Sequence, residues 1–476
     1  MERTALRQKL EIAFGFEPTS GQSKALEHLA AFLLSDKPNP LYLLRGYAGT
    51  GKTSMVSAIV KVLPALGMHP VLLAPTGRAA KVLSAYTGLN ASTIHRKIYF
   101  QTRNADGSMH MVRATNKHRK ALFVVDEASM IPDTTTESLT GNSLLDDLME
   151  YVAEGQQCRL ILIGDQAQLP PVGLALSPAL NLQYLKSRYQ LTAAGWELTE
   201  VMRQSLESGI LSNATAIRKK LENNDFTLPL LQIGGQNDVC VLAGSDMEEV
   251  MTEHFGRHDF SQAVVVCRSN KTANRFNQAI RQRIIGLEGE LSAGELLMVV
   301  KNNYFWLSEA EQAGFVANGD IIELMRVIRY EQLYDHHFAE AEVRLVDYPE
   351  LPPFQVKLLL DTLTAPGPSL SDDAFRAFAL NIEEDYADEP SRRKRMAKLA
   401  TNPYYNALMV KYAYALTCHK TQGGQWPVVF IEQGRRKDQD IDADYLRWLY
   451  TALTRATQKV YLLGFDAESI EMTNAL

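Results

Sequence analysis

Short apolar runs recur along the chain, separated by stretches whose apolar residues fall three and four positions apart. Leu41-Tyr42-Leu43-Leu44, Val71-Leu72-Leu73-Ala74, Ala121 to Val125 and Arg159 to Ile163 read as buried strands. Ser54 to Leu66 reads as a helix. So does the stretch opened by Thr19-Ser20-Gly21-Gln22, with Leu26, Leu29, Phe32 and Leu33 on one face, which Pro38, Asn39 and Pro40 close. Strands alternating with helices imply a parallel sheet with crossovers. A second series starts at Ala263-Val264-Val265-Val266 and closes with Val428 to Ile431 and Val460 to Leu463. Two such series in one chain point to a duplicated α/β nucleotide-binding fold.

Two segments break the pattern. Between Lys97 and Lys120, Ile98-Tyr99-Phe100 and Met109 to Val112 flank Asn104-Ala105-Asp106-Gly107, a hairpin protruding from the first domain. From about Met325 to Lys411, strand-like runs sit beside Pro349, Pro352-Pro353 and Pro366-Gly367-Pro368. The acidic stretch Glu383 to Glu389 and the basic run Arg392-Arg393-Lys394-Arg395 follow, the latter reading as a solvated helix face. The expected organisation is a first domain over residues 1–200 with the hairpin at 97–120. A second comprises 201–325 plus 412–476, and a small β-rich insertion with a helical tail occupies 326–411.

At 476 residues, with 46% hydrophobic and 22% charged residues, the composition is that of a multidomain globular protein. No apolar run reaches membrane-spanning length, and Met1-Glu2-Arg3-Thr4 lacks signal-peptide character, so a cytoplasmic, nucleoid-associated protein is expected. Cys158, Cys240, Cys267 and Cys418 lie far apart, which favours free thiols over a metal site or disulfides. The net charge of −6 speaks against wrapping duplex DNA but permits a narrow channel gripping one strand.

The strongest chemical signal is Gly46-Tyr47-Ala48-Gly49-Thr50-Gly51-Lys52-Thr53, a complete G-x-x-x-x-G-K-T loop between a strand and a helix. Its backbone amides (Gly46, Ala48, Gly49, Thr50, Gly51 and on to Ser54) would cradle a triphosphate at a helix N-terminus. Lys52 would reach the β- and γ-phosphates, and the Thr53 hydroxyl would ligate Mg2+. Asp126-Glu127 ends the third strand: Asp126 suits magnesium, and Glu127 suits a general base for the attacking water. Gln168, after Gly164-Asp165, suits a neutral sensor of the γ-phosphate.

In order along the chain these residues resemble the superfamily-one helicases of the 5′→3′ branch, the group of RecD-like helicases and the phage Dda helicase. Gln22 fits the adenine-reading glutamine. Ala74-Pro75-Thr76-Gly77-Arg78-Ala79-Ala80 fits motif Ia, Ser92-Thr93-Ile94-His95 motif Ib, and Asp126 to Met130 motif II. Gly164 to Pro171 fits motif III, and Leu198-Thr199-Glu200-Val201-Met202-Arg203-Gln204 motif IV. Thr417-Cys418-His419-Lys420-Thr421-Gln422-Gly423 fits motif V, and Tyr450-Thr451-Ala452-Leu453-Thr454-Arg455-Ala456 motif VI.

The resemblance implies two RecA-like domains, the hairpin in the first and an SH3-like β-barrel in the second. It implies arginine fingers at Arg203 and Arg455, and strand contacts at Pro75, Thr76, Arg78, Thr93, His95, His419 and Thr421. It places Tyr99 and Phe100 on the strand-separating hairpin. It also implies ATP and Mg2+ as cofactors, and single-stranded DNA and its junctions with duplex as partners. A monomer working 5′→3′, alongside replication or repair proteins, is expected. The alternatives are an RNA-directed motor of the same superfamily or a DNA-end-binding motor subunit of a repair complex. The single short helical region ahead of the phosphate loop suggests the compact Dda layout.

Overall fold

The computed structural model describes residues 2–103, 109–135, 140–201, 208–234, 238–256, 262–307, 315–367, 369–434 and 441–472. The first lobe is built on β1 (Leu41–Gly46), β2 (His69–Ala74), β3 (Ala91–Thr93), β6 (Ala121–Val125), β7 (Arg159–Gly164) and β8 (Ala193–Leu198). They pair in parallel in the order β3-β2-β6-β7-β1-β8. Between β3 and β6, β4 (Tyr99–Arg103) and β5 (Met109–Arg113) form an antiparallel hairpin. The expected turn residues Asn104 to Gly107 lie outside the described residues.

One face of this sheet packs on helices, and here the structure corrects the expected single helical region. Two helices, Arg3–Phe14 and Ser20–Leu33, precede β1. Leu6, Leu10 and Phe14 of the first join Leu26, Leu29 and Leu33 of the second over Tyr42 and Leu44. Among the described residues no helix is long and apolar enough to cross a membrane.

The second lobe is a parallel sheet of β10 (Val239–Val241), β11 (Ala263–Cys267), β17 (Ala415–Thr417), β18 (Trp426–Glu432) and β19 (Ala456–Leu463), ordered β10-β19-β18-β11-β17. β9 (Leu231–Ile233) pairs separately with β20 (Ile470–Met472). Both large sheets read in sequence as continuous apolar runs because each strand is covered on two faces.

The insertion is a closed barrel of β12 (Leu296–Val299), β13 (Ile321–Leu333), β14 (His336–Leu345), β15 (Phe354–Leu359) and β16 (Leu408–Tyr412). Its first strand lies upstream of the expected boundary at 326. The run Leu296–Val299 reads equally well as a sheet strand, and pairing with Ile321–Glu323 and Val410–Tyr412 decides its membership. Two helices, Asp372–Glu384 and Arg392–Ala400, pack Phe378, Ile382 and Leu399 onto Phe338 of the barrel. In the basic run, Arg395 pairs with Glu383 at 3.1 Å, and one turn on Lys398 pairs with Glu389 at 3.7 Å. Acidic and basic stretches thus neutralise each other locally.

The barrel rests on the first lobe through a buried ion pair, Arg96 to Asp320 at 2.8 Å, with the guanidinium 4.1 Å from the centre of the Tyr348 ring. Lys81 reaches Asp347 at 3.4 Å nearby. These contacts fix the barrel beside the hairpin.

Candidate active site at the lobe interface

The phosphate loop leaves β1 at the carboxyl edge of the first sheet, where open α/β sheets bind ligands. Gly49 and Gly51 take left-handed backbone, φ 73° and 89°, a conformation costly to any residue bearing Cβ. The helix Lys52–Val62 begins within the motif. Lys52 Nζ donates to the carbonyls of Gly46 at 2.6 Å and Tyr47 at 2.9 Å and lies 3.9 Å from Asp165. Gln22 is 1% exposed. Its amide oxygen accepts from Thr19 N–H at 2.9 Å, and its NH2 donates to Thr50 C=O at 2.9 Å. It therefore closes a capping box and ties that helix start to the loop.

Asp126 and Glu127 follow β6. Asp126 accepts from the Tyr86 hydroxyl at 2.6 Å and from Glu127 N–H at 2.8 Å. Glu127 itself sits at φ 53°, strained backbone of the kind found at functional sites. Burial pushes its carboxyl above the ordinary value, as do Asp126 and Asp165, while the charges of Arg455 and Lys52 oppose the shift. The Oε1 of Gln168 is buried with no hydrogen-bond partner among the described residues, an acceptor ready for a polar ligand. Thr53 and Asp126 present a hydroxyl and a carboxylate, the hard oxygen donors a small divalent cation takes, so this pair fits Mg2+.

The second lobe completes the pocket. Arg455 is 3% exposed. Its guanidinium donates to Thr451 C=O at 3.1 Å, Gly424 C=O at 3.2 Å and Thr454 Oγ1 at 3.2 Å, and its charge acts on Glu127. The other expected finger, Arg203, lies outside the described residues.

Sequence reasoning assigned no role to the residues that join the lobes. Tyr47, second in the phosphate loop, is buried in the core of the second lobe with Arg218 4.4 Å from its ring centre. The Leu169 N–H donates to Thr451 Oγ1 at 2.9 Å, and Gln422 Nε2 donates to Leu169 C=O at 2.6 Å. Tyr450, Thr451 and Gln422 all sit inside quoted motifs, so their positions were visible though their function was not.

The expected strand contacts divide. Pro75 and Thr76 are partly exposed at the start of the helix Gly77–Thr87, and Thr76 Oγ1 caps it by accepting from Ala79 N–H at 3.2 Å. Thr93 caps the next helix through Arg96 N–H at 3.2 Å and is buried, and the buried Thr421 hydroxyl donates to Cys418 C=O at 2.7 Å. Both hydroxyls are thus engaged locally, Thr93 as the acceptor of an N-cap, which leaves its own proton to donate, and Thr421 as a donor within the short helix Cys418–Thr421. His419 is exposed; His95 is partly so, its ring 5.6 Å from Tyr99. Arg78 lies with its guanidinium 3.8 Å from the centre of the Trp426 ring.

The hairpin also needs correction. Tyr99 is 6% exposed, its hydroxyl donating to Asp147 at 2.7 Å, whereas Phe100 is 49% exposed. Opposite sides of one strand cannot both face a duplex, so Tyr99 anchors and Phe100 alone projects.

An AAA domain model matches residues 17–228, and a UvrD-like helicase C-terminal domain model matches 412–463. The ATP-dependent RecD2 DNA helicase of Deinococcus radiodurans is 33% identical over 301 residues, covering 60% of this chain and 36% of that protein. The ATP-dependent DNA helicase dda of Enterobacteria phage T4 is 26% identical over 294 residues, covering 59% of this chain and 60% of its own. The chain thus spans less than two thirds of each of these relatives. Among solved structures, Pif1 helicase from Bacteroides with ADP-AlF3 and ssDNA aligns over 96% of this chain and 95% of its own, at 16% identity and a TM-score of 0.44. In the ordered motifs, the two domain matches and these relatives, the chain is similar to the superfamily-one helicases, the RecD-like and Dda-like proteins among them.

Proposed function

We infer that the chain is an ATP-dependent motor that moves 5′→3′ along single-stranded DNA and opens duplex ahead of it. The observation that carries this reading is the composition of the pocket: Lys52, Asp126 and Glu127 come from one lobe and Arg455 from the other, with the Arg455 charge acting on Glu127. Hydrolysis at such a pocket needs both lobes in contact, so each turnover couples to their relative motion. Mg2+, held by Thr53 and Asp126, would neutralise charge on the β- and γ-phosphates. Glu127 orients the attacking water and takes its proton. Lys52 exchanges its loop carbonyls for phosphate oxygens, and Arg455 offsets charge gathering on the transferred group. Gln168 offers its unpaired oxygen to the water or to a hydroxyl beside it.

Strand polarity rests on the motif set. Duplexes with a 5′ tail, a 3′ tail or no tail, with DNA and RNA tracking strands, test the whole reading. Efficient opening requires the 5′ DNA tail and disappears in Lys52→Ala, which retains strand binding. Efficient opening from a 3′ tail overturns the polarity, and unwinding by Lys52→Ala overturns the engine.

A further inference from the structure

We propose that the Arg78–Trp426 stack is a relay that positions Arg455 according to strand occupancy, with Trp426 a positioning residue for hydrolysis. The proposal rests on the motor reading above and deepens it. Arg78 opens the helix Gly77–Thr87 of the first lobe, two residues after the partly exposed Pro75-Thr76 turn. Its guanidinium lies over Trp426, the first residue of β18 in the second lobe, 3.8 Å from the ring centre, within the range of a favourable cation–π contact.

Trp426 is 2% exposed and bonded directly to the finger: its N–H donates to Arg455 C=O at 2.9 Å. Two residues earlier, Gly424 C=O accepts from Arg455 Nη1 at 3.2 Å. Arg455 is therefore held at both its backbone and its guanidinium by the segment on which Arg78 stacks.

The glycines here are tight. A Cβ on Gly424 would fall 2.7 Å from Trp426 Cη2 and 2.9 Å from Arg78 Cδ, and one on Gly423 would fall 2.7 Å from Ala79 Cβ. The two lobes touch at this point with no space for a methyl group, so a shift of the Arg78 helix is passed on rather than absorbed. Burial works against keeping the Arg78 charge here, and the facing carboxylate is shared. Burial lowers its pKa to about 10 and Asp347 of the barrel opposes that, with Lys81 competing for the same carboxylate at 3.4 Å. A phosphate arriving beside Pro75 and Thr76 would compete with the indole for this guanidinium.

The test measures ATP turnover with and without saturating oligo(dT), together with oligo(dT) affinity, in the wild type and three variants. Trp426→Leu keeps apolar bulk without the π face and should lose about five- to tenfold of the stimulation by DNA, while the oligo(dT) Kd stays put. Trp426→Phe should restore most of it. Arg78→Met, at a partly exposed site, repeats the test should Trp426→Leu melt before assay. Stimulation unchanged in Trp426→Leu or in Arg78→Met overturns the relay. So does an Arg78→Met protein that binds DNA weakly yet is fully stimulated at saturation, which would make Arg78 a plain phosphate contact. Wild-type turnover indifferent to oligo(dT) fails the motor reading itself, a result read before any variant.

Discussion

The Tyr450 hydroxyl donates to Asp165 Oδ2 at 2.6 Å and accepts from Ala48 N–H at 2.8 Å, so one atom of the second lobe holds both the phosphate loop and the strand end beside it. Tyr450 lies on the helix Ala443–Leu453, and Arg455 follows that helix by two residues. The hydroxyl consequently sets where Arg455 begins relative to the phosphate loop. Tyr450→Phe keeps the ring and removes both bonds, leaving a buried carboxylate oxygen and amide short of partners at a cost of about 1–3 kcal/mol. Its thermal midpoint should fall, and kcat for ATP should fall more than KM rises, since the lost contact positions a group acting in the transition state. An unchanged kcat with a raised KM would show that Tyr450 merely shapes the nucleotide cavity.

Glu127 gives a prediction in pH. Burial raises its pKa above that of an ordinary carboxylate, and Arg455 is the largest influence pulling it back. A glutamate serving as general base works only when ionised, so in that role Glu127 should make turnover fail on the acid side at a higher pH than a solvent-exposed glutamate would allow. Arg455→Gln removes the opposing charge and should move that acid limb further up in its residual turnover. For folding, the sign is that of a raised carboxyl: the native state holds this proton more tightly than the unfolded chain. The group therefore opposes folding above the ordinary value and ceases to do so below it. Superimposable acid limbs in wild type and Arg455→Gln would separate the two residues.

Much of this architecture was legible because it is written in local signals. Continuous apolar runs such as Ala121–Val125 and Ala263–Cys267 can only be strands buried on two faces, and the loop Gly46–Thr53 specifies its own backbone. What escaped reading depends on contacts distant in sequence. Leu296–Val299 joins the barrel rather than the second sheet through pairing partners on both sides. Tyr47 looks like a loop surface residue until the second lobe closes over it. The helix Arg3–Phe14 places just three residues, Leu6, Leu10 and Phe14, in the core, too sparse a stripe to stand out. The local bonds of Thr93, which caps a helix, and of Thr421, which donates within one, were likewise not legible, because the same hydroxyls fit the strand-contact motifs.

His95 gives a second pH test, of opposite sign. Burial and the neighbouring Arg96 charge lower its pKa from the ordinary 6.5 to about 4. It is neutral at physiological pH and would meet a phosphate as a dipole rather than a cation. Because the folded pKa is depressed, the unfolded chain binds the proton first, and this stability is lost as pH falls from about 6.5 towards 4. In thermal melts between pH 7.5 and pH 4.5, roughly spanning that titration window, the wild-type midpoint should fall more steeply than that of His95→Asn as pH drops. Parallel curves would mean that His95 titrates as an exposed imidazole.

The hairpin assigns its two aromatics different labours. Asp147, buried on the helix Leu144–Glu154, accepts from the Tyr99 hydroxyl at 2.7 Å, and Arg113 of β5 binds Glu154 of the same helix at 2.7 Å and Glu150 at 3.3 Å. A base so held can resist load, which a wedge must do if inserting an apolar ring between base pairs costs a few kcal/mol per step. Phe100, across the strand from Tyr99 and half exposed, is the side chain free to make that insertion. Phe100→Ala should leave ATP turnover and movement along single strands intact while slowing duplex opening, an uncoupling visible when both rates are measured on one protein. Tyr99→Phe should instead lower the melting temperature modestly, by about 0.5–1.5 kcal/mol of stability, since one hydrogen bond to buried Asp147 is lost while the Thr140 hydroxyl still donates to the same oxygen. Were Phe100→Ala to unwind at the wild-type rate, strand separation would have to occur elsewhere, and the anchored hairpin would serve only to brace the barrel.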